Sequence, residues 1–459
     1  MEKKILNYKH FSVTVKTSIA LLIIIAAVFQ GCKKYLDAKP DQSIATPTTI
    51  DDLEGILNNY SFINARYPAA GEVASDNYFL STTTFNSLVE RQRMFYTWQK
   101  YDMIGGDYSS PYSAIEYANV ILDALPKISG GDLPTRNMIE GNSLFIRGSY
   151  HFALAQLFAK PFMQTTASTD PGIALRLTSD ITIKPVRSSV AETYNSILAD
   201  LKKSVSFLPS NPALKYRASK PAAYGMLARV YLSMNDYANA GSYADSALSL
   251  YNKLIDYNSV SPAATIPFPQ FNDEVIYDAS TSQPPALARS RARVDTNLYV
   301  GYDSNDLRRV LYFQATTGGF FFKGTYTGHA NGTLFAGVAT DELYLIKAEA
   351  QARNGDVNDA LVTLNALMLT RYQAGTFMPY TTTDASQLLS EILAERRKEL
   401  LFRGLRWMDL RRLNQDQSYA TILYRNVNDT TYQLKPGSTR YVFEIDQNAV
   451  NLSGLQQNP

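Results

Sequence analysis

The residues that precede Cys32 indicate the chemistry of its thiol. Cys32 is the only cysteine in 459 residues, and it follows an 11-residue apolar run at 19–29 that four lysines precede. A basic segment, a short apolar core and a small residue before the cleavage point are typical of a secretory signal peptide, and the run is too short to span a membrane. An exported chain with one cysteine has no partner for an internal disulfide. We therefore expect cleavage after Gly31 and acylation of Cys32, and two or three acyl chains anchor a protein stably to a membrane.

The residues around this thiol resemble a bacterial lipobox, with Phe29 and Gln30 in place of the usual Leu-(Ala/Ser) before Gly-Cys. Two other interpretations are an ordinary secreted protein with a stray thiol and a membrane-anchor helix. We predict that residues 1–31 are a lipoprotein signal peptide and that Cys32 is the lipidation site.

Aromatic side chains are the second group that suggests chemistry. The chain has 31 Tyr, 21 Phe and 2 Trp, and tyrosine combines a flat apolar face with a hydroxyl, which suits wet surfaces that stack on sugar rings. Trp98 is the sharpest candidate, because it lies in an aromatic segment without helical periodicity. The alternative is that Trp98 is a core residue, as we expect for Trp407. Further candidates for ligand contact are Tyr108, Tyr299, Tyr302 and Tyr312.

Catalytic and metal-binding patterns are weak. Only His151 and His329 follow the predicted signal peptide, which argues against His-based zinc sites and Ser-His-Asp chemistry, and the nucleophile-elbow, zincin and P-loop motifs are absent. The run 303–306 (Asp-Ser-Asn-Asp) reads as an ordinary turn, since it lacks the glycine and distal glutamate of an EF-hand. No carboxylate pair stands out for glycoside hydrolysis. We predict no catalytic residue, no metal and no cofactor.

The charged segment from Glu395 to Arg412 has a structural explanation. Glu395 and Glu399 lie one helical turn apart, as do Glu399 and Arg403. Pairing along a helix surface accounts for such spacing. We interpret the segment as architectural.

Composition limits the possible partners. Removing residues 1–31 takes four lysines and one glutamate from 44 basic and 42 acidic side chains, which leaves 40 and 41, a net charge of −1. Nucleic-acid binding normally needs a clear basic excess, so we predict no nucleic-acid partner. The remaining chain is long enough for one large domain or two interlocked parts. Packing without disulfides must stabilise it.

Helical periodicity begins near residue 112. Apolar residues three and four apart predict helices at about 112–125, 137–158 and 190–208, with Pro126 and Pro209 as stops. Segments that begin at Leu227 and Lys347 then repeat with a constant register of 120 residues. Each reads as helix, tight turn, helix, and the repeat resembles the tetratricopeptide pattern, whose pairs bury their apolar faces by stacking on neighbours. With the earlier helices, about four such pairs are expected.

Two long segments lack this periodicity. Residues 61–111 and 257–338 are rich in Gly, Pro, Ser, Thr and aromatics. Both are longer than ordinary connections, which favours a functional surface. The run Phe320–Phe322 predicts a local strand pair.

An ordered set of short motifs resembles the SusD/RagB family of outer-membrane nutrient-binding lipoproteins. The set spans nearly the whole mature chain: Cys32, Tyr35, Leu36, Asp37 and Pro40; Ser75, Asp76 and Asn77; Tyr112, Ile115, Ala118 and Asn119; Arg147, Tyr150, Phe152, Leu157 and Phe158; Glu395, Arg396, Glu399, Leu400, Gly404, Arg406, Asp409, Leu410 and Arg412; Glu444, Ile445, Asn448 and the ending at 457–459.

This resemblance implies a fold, a function and a location. The fold would be mostly α, with about four stacked tetratricopeptide-like helix pairs and an irregular, loop-rich half packed on them. The regions would be 32–210 (SusD-like N-terminal), 211–256 (helix pair) and 257–459 (SusD/RagB C-terminal). The function would be capture of a nutrient, most simply an oligosaccharide, for a SusC-like TonB-dependent transporter at the outer-membrane surface. The implied ligand-binding residues are Asp76, Asn77, Trp98, Tyr108, Tyr299, Tyr302 and Tyr312.

Three alternatives remain open at this point. A peptide-capturing lipoprotein of the RagB type would have a deep internal cavity. A surface glycoside hydrolase would place two carboxylates roughly 5–10 Å apart beside the aromatics. A structural tetratricopeptide adaptor would have no concave aromatic site.

Overall fold

The computed structural model describes residues 46–100, 106–281, 284–330 and 332–459. The predictions for the signal peptide and for Cys32 lie outside these residues. The chain from Pro47 to Pro459 forms one unit, so the subdivision at residues 210 and 256 stays a prediction. Within the described ranges, no helix is both long and apolar enough to cross a membrane.

Helices dominate the described chain, as predicted. In chain order they are α1 Ile50–Leu57, α2 Tyr60–Ile63, α3 Ala70–Ala74, α4 Thr82–Asn86, α5 Glu90–Tyr96, α6 Gly106–Ala124, α7 Leu133–Phe158, α8 Val190–Phe207, α9 Lys220–Ser233, α10 Tyr237–Leu250, α11 Thr296–Val300, α12 Arg308–Leu311, α13 Thr340–Asn354, α14 Val357–Leu369, α15 Ala385–Glu399, α16 Arg406–Leu413 and α17 Gln447–Ser453.

Strands are short and form two-stranded antiparallel pairs: β1–β6, β2–β3, β4–β10, β5–β9, β7–β8 and β11–β12. Their bounds are β1 Tyr78–Phe79, β2 Pro171–Ala174, β3 Arg187–Ser189, β4 Val275–Tyr277, β5 Ser280–Thr281, β6 Arg293–Val294, β7 Phe313–Thr316, β8 Gly319–Phe322, β9 Leu334–Phe335, β10 Val338–Ala339, β11 Leu423–Val427 and β12 Thr430–Leu434. The strand predicted at Phe320–Phe322 is β8.

Several of the long helices begin at residues whose side chains accept hydrogen bonds from the first free backbone N–H groups. Ser189 and Glu192 form a capping box at the start of α8, and Ser219 caps α9. α6 gives way to a 3-10 turn at Leu125–Lys127, which contains the predicted stop Pro126. Gly355, with a φ of +87°, ends α13, because glycine adopts the left-handed conformation without steric cost.

The internal repeat corresponds to two stacked helix pairs, α9–α10 and α13–α14. Helices α6 to α10 pack each on the next, α10 packs on α13, and α13 packs on α14 and α15. Ala240 and Ala360 are both fully buried. Gly241 allows α10 and α13 to approach closely, since a Cβ built there would lie 2.7 Å from the Cβ of Ala350.

Residues 61–111 are more helical than predicted. Helices α3, α4 and α5 lie within this segment, and they have 5, 5 and 7 residues. Helices of this length show too few turns for a periodic apolar pattern to emerge. A second apolar core, distinct from that of the stacked helices, joins this segment to 257–338 around buried aromatics such as Tyr96, Tyr257 and Tyr326.

The charged segment 395–412 is not on a helix surface, which corrects that interpretation. Glu395 and Glu399 are 1 % exposed, and both bond the buried Arg308. Arg412 pairs with Glu349 of α13 at 2.6 Å. Spacing along one helix could not reveal these partners, because they come from other elements. The architectural role stands, and Trp407 is a core residue, as predicted.

Candidate functional site

A groove of about 860 Å³ lies between the N-terminal half of α6, the connection that follows β2, and α17. This volume is within the roughly 300–1,000 Å³ of ordinary ligand sites. The groove mixes aromatic, charged and amide side chains, and its principal polar and aromatic lining residues are Tyr108, Tyr112, Glu116, Arg176, Lys184, Asp446 and Asn448.

Helix α6 supplies the aromatic wall. Tyr108, Tyr112 and Glu116 are four residues apart, so they share one face of the helix. The rings of Tyr108 and Tyr112 have centroids 4.9 Å apart, and Tyr108 packs edge-on against Phe158 at 5.1 Å. The Tyr112 hydroxyl donates to the carbonyl of Ala174 at 2.9 Å. The two rings are therefore held in place before any ligand arrives. Tyr108 is 8 % exposed, so the half-buried Tyr112 offers a ligand the larger aromatic face.

Charged groups of both signs line the groove. Burial raises the pKa of Glu116, and the Arg176 guanidinium opposes that shift. Arg176 donates to the carbonyls of Ile183 at 2.7 Å and Asp180 at 2.9 Å, which fixes the connection after β2. Asp446 accepts from the backbone N–H of Asn448 at 3.0 Å and so caps α17. The groove thus presents hydrogen-bond donors and acceptors on ordered elements.

The rim of the groove is apolar and open to solvent. Ile181 is 84 % exposed and Leu452 is 89 % exposed, and both line the groove. Leu177, Ile183 and Val186 on the same connection are also exposed. Clustered exposed apolar residues of this kind mark surfaces that contact a partner or a ligand.

Two family descriptions match this chain. The first, SusD-like, described as starch-binding and associating with the outer membrane, matches residues 34–232. The second, the SusD family proper, matches residues 270–459. The chain belongs to the SusD/RagB family. No curated protein sequence matches it.

Several solved structures share the fold. A SusD superfamily protein from Bacteroides vulgatus has a TM-score of 0.74 at 21 % identity, with 90 % of this chain and 99 % of that chain covered. One from Bacteroides thetaiotaomicron has a TM-score of 0.73 at 20 % identity, with 90 % and 100 % covered. Surface glycan-binding protein A from Bacteroides uniformis has a TM-score of 0.68 at 16 % identity, with 89 % and 98 % covered. At these identities the similarity is one of fold.

Asp76 and Asn77, which belong to the motifs that resemble SusD/RagB, do not line the groove; Asn77 is buried and Asp76 is partly buried. The Asp76 carboxylate accepts two hydrogen bonds from the Arg406 guanidinium, at 2.7 and 2.9 Å. It also forms an ion pair with Arg397 at 3.1 Å. Burial alone would raise the pKa of Asp76, but these two guanidiniums outweigh it and hold that pKa well below its usual range. Asn77 donates to Glu72 at 2.8 Å and is 1 % exposed. Asp76 connects the N-terminal and C-terminal halves through its side chain, and Asn77 does so through its backbone carbonyl, which accepts from the N–H of Asp295 at 2.9 Å.

Trp98 is a core residue, which is the alternative interpretation given above. Its indole is 7 % exposed, and its Nε1 donates to the carbonyl of Ala74 at 2.9 Å. The guanidinium of Arg425 lies 5.3 Å from the ring. The exposed part of the indole is too small for a sugar ring to stack on it. The prediction that Trp98 is an open stacking surface is therefore wrong.

Three predicted tyrosines gather around the β7–β8 hairpin. Tyr302 and Tyr312 are both 2 % exposed, so they too are core residues rather than open platforms. Tyr302 donates to the carbonyl of Lys398 at 2.8 Å. Tyr299 is half-buried, with its ring stacked on Phe320 at 3.8 Å. The predicted set therefore divides, since Tyr108 alone lines the groove and Tyr299 lies at the hairpin.

One group of buried carboxylates has metal-like spacing. Oxygens of Glu274, Asp341 and Glu399 lie within 4.8 Å of one another. Arg371 bonds Glu274 and Glu399, each at 2.8 Å, and Arg403 bonds Asp341 at 2.8 Å. Burial raises the pKa of Asp341 to about 7, with Arg403 opposing. Guanidiniums already fill the positions that a cation would take, so we assign no metal to this group.

The turn at 303–306 has its own internal partners. Asp303 accepts from the backbone N–H of Asn305 at 2.9 Å, and Asp306 pairs with Arg308 at 2.6 Å. These contacts agree with the interpretation of an ordinary turn.

Most groove residues were missed by sequence reasoning. Arg176, Lys184 and Asp446 are far from α6 in sequence, and no local pattern distinguishes them. One signal was present, because Tyr108, Tyr112 and Glu116 recur every four residues at the start of a helix. That spacing predicts one helix face that carries both aromatic and acidic side chains, whereas the buried face of a helix is normally apolar.

Proposed function

We propose that this protein is a surface lipoprotein of the outer membrane that binds an oligosaccharide in the groove and passes it to a SusC-like TonB-dependent transporter. The observation that carries the proposal is the groove itself, with the partly exposed ring of Tyr112 beside donors and acceptors of both charges. Sugar hydroxyls both donate and accept hydrogen bonds, and aromatic contacts contribute about 1 kcal/mol per ring. The names of the relatives support carbohydrate as the ligand class.

The mechanism is binding without bond breaking. The family's relatives are named as binding proteins. Glu116 and Asp446 act as hydrogen-bond acceptors for sugar hydroxyls, while Lys184 and the Asn448 amide donate. The groove is open along its rim, so a chain of several sugars can extend beyond it.

Delivery to a transporter is the second part of the proposal. Exposed Ile181 and Leu452 beside the groove support a protein partner that covers the bound sugar. Val186 is exposed on the same connection but does not line the groove. Replacing Val186 with Asp should reduce co-purification of a TonB-dependent transporter, identified by mass spectrometry, and leave oligosaccharide affinity in solution unchanged. Equal transporter recovery with both proteins would contradict a contact at this rim.

The test of the ligand is calorimetric titration of the purified full chain with neutral oligosaccharides of four to eight sugars. Asn448→Ala should weaken binding about tenfold, since it removes one hydrogen-bonding amide from the groove, and Lys184→Ala should act similarly. Asn451→Ala is the matched control, because Asn451 lies on the same helix outside the groove and bonds Gln447.

Two outcomes would contradict this proposal. Either no oligosaccharide binds, or the Asn448 and Asn451 variants bind equally well. Shortened sugar products after incubation would contradict binding without cleavage. Tight binding of short peptides in place of sugars would favour the RagB-type alternative.

A further inference from the structure

Four basic residues lie near the β7–β8 hairpin, and one of them, Lys323, is buried. Arg289 and Arg291 lie in the segment before β6, Arg293 lies on β6, and Lys323 directly follows β8. Together with Phe321 of β8, we call these residues the hairpin patch. The patch is separate from the groove, and the two share no lining residue.

The cations of the hairpin patch have no acidic partners among the described residues. Arg293 donates to the carbonyls of Thr317 at 2.9 Å and Ala292 at 3.0 Å, and Arg291 to that of Pro285 at 3.3 Å. Lys323 donates to two carbonyls. Within the described chain, the guanidinium of Arg289 makes no hydrogen bond or ion pair, although Arg289 is half-buried.

This situation differs from that of several buried arginines elsewhere in the protein, whereas Arg411 and Arg425 also bond only backbone carbonyls. Arg308, Arg371 and Arg412 each pair with at least one carboxylate. Buried charges are normally compensated in this way, since an uncompensated charge is costly to desolvate. Burial lowers the pKa of Arg289, and burial together with the Arg289 charge lowers that of Lys323. The hairpin patch therefore holds positive charge that the described chain does not neutralise.

An aromatic surface accompanies this charge. Along β8, Phe320 stacks on Tyr299 and Phe322 packs against Phe402 at 5.0 Å, so Phe321 points to the opposite side of the strand. The Arg289 guanidinium lies 5.8 Å from the Phe321 ring centroid. Gln314 is the strand partner of Phe321 and is exposed on the same face.

The cleft beside Arg289 and Phe321 has a volume of only about 20 Å³. This space holds about one water molecule. A ligand would therefore lie across the hairpin surface instead of entering the protein, which suits an extended chain.

We propose that the hairpin patch is a second glycan site, which binds oligosaccharides that carry carboxylate or sulfate groups, with the acid group on Arg289 and a sugar face on Phe321. A guanidinium fits the two oxygens of a carboxylate or sulfate in a fork geometry. The aromatic ring contributes the stacking that distinguishes a sugar acid from a free anion. This site does not depend on the groove.

The test is titration of the purified full chain with hexasaccharides of galacturonate and of chondroitin sulfate, with a neutral hexasaccharide alongside. At least one of the two acidic ligands should bind, and raising NaCl from 50 to 500 mM should weaken that binding at least tenfold through screening. Arg289→Gln should weaken it about tenfold or more and leave neutral-sugar binding in the groove unchanged.

Two further variants keep the test informative. Gln314→Glu adds a negative charge on an exposed residue opposite Phe321, so it should weaken acidic-glycan binding without disturbing the fold. Arg66→Gln is the matched control, because Arg66 lies over the Phe62 ring at 4.9 Å outside the hairpin patch. It removes the same charge and should leave binding unchanged.

The proposal would be overturned if neither acidic hexasaccharide binds, or if Arg66→Gln and Arg289→Gln weaken binding equally, which would indicate diffuse attraction. Gln314→Glu with wild-type affinity would also overturn it. The hexasaccharide that binds more tightly, galacturonate or chondroitin sulfate, shows whether Arg289 prefers a carboxylate or a sulfate group. Loss of neutral-sugar binding alone would contradict the groove proposal and leave the hairpin patch intact.

Discussion

Trp98 shows how a single residue can combine strain and packing. Its backbone φ is +56°, a left-handed conformation that is rare for bulky residues. The buried indole, its hydrogen bond to Ala74 and the nearby Arg425 offset that cost. The residue therefore contributes to stability at the point where a loop joins the core.

Replacing Trp98 with Ala should lower the free energy of unfolding by about 3–5 kcal/mol, as large-to-small core substitutions do. Affinity for a neutral oligosaccharide should remain within twofold, because Trp98 does not line the groove. Chemical denaturation and calorimetry on the same preparation measure the two effects. A stable variant with much weaker binding would return Trp98 to the ligand site.

Asp76 is the second residue whose role the structure defines. Breaking a buried ion pair leaves unpaired charge, so Asp76→Asn should lower the free energy of unfolding at pH 7 by about 3–5 kcal/mol. Asp295→Asn is the control, since Asp295 lies 4.0 Å from the same Arg397 and is more exposed, and it should cost less than about 1 kcal/mol.

The pH dependence of this effect has a definite sign. The folded-state pKa of Asp76 is below its unfolded value of about 3.9, so its stabilisation is fully present above that pH and is lost as the pH falls toward the folded-state pKa. The difference between wild type and Asp76→Asn should shrink in denaturation curves recorded from pH 5 to pH 2. A constant difference over this range would show that folding does not lower the pKa of Asp76.

At the scale of elements, the contact between α10 and α13 depends on a small side chain. Gly241→Leu should lower the free energy of unfolding by about 1–3 kcal/mol, because the added atoms would overlap the Cβ of Ala350. Gly55→Leu in α1 is the matched control, since no atom lies within 4 Å of a Cβ built there. Leucine favours helix over glycine, so the control should be neutral or slightly stabilising. Equal thermal stability of the two variants would show that α10 and α13 do not pack as described.

At the scale of the whole molecule, membrane attachment remains a prediction based on Cys32. Cys32→Ser should move the protein from the membrane pellet to the soluble fraction, because acyl chains would no longer be present. Its melting temperature should match that of the chemically delipidated wild type. A variant that stays in the pellet after washing with 1 M salt would contradict the lipid anchor, since such salt removes electrostatic association.

The sequence alone determined features that depend on local order along the chain. Helical periodicity located α6 to α8, and the 120-residue register identified two equivalent helix pairs, α9–α10 and α13–α14. The ordered motifs indicated the SusD/RagB family, and the lone Cys32 predicted a lipid anchor. These inferences need only residue types and spacings, because an apolar stripe reports which face of an element is buried.

Only the tertiary structure decided which distant residues meet. Tyr108, Arg176 and Asp446 come from three separate parts of the chain and meet in one groove. Trp98 and Tyr302 are of residue types that also occur on sugar-binding surfaces, but both lie in the core. Glu399 looked like a helix-surface residue, yet its partners Arg308 and Arg371 come from other elements. The physical reason is that periodicity shows which face of an element is buried, whereas the side chains that meet that face are set by the packing of elements remote in sequence.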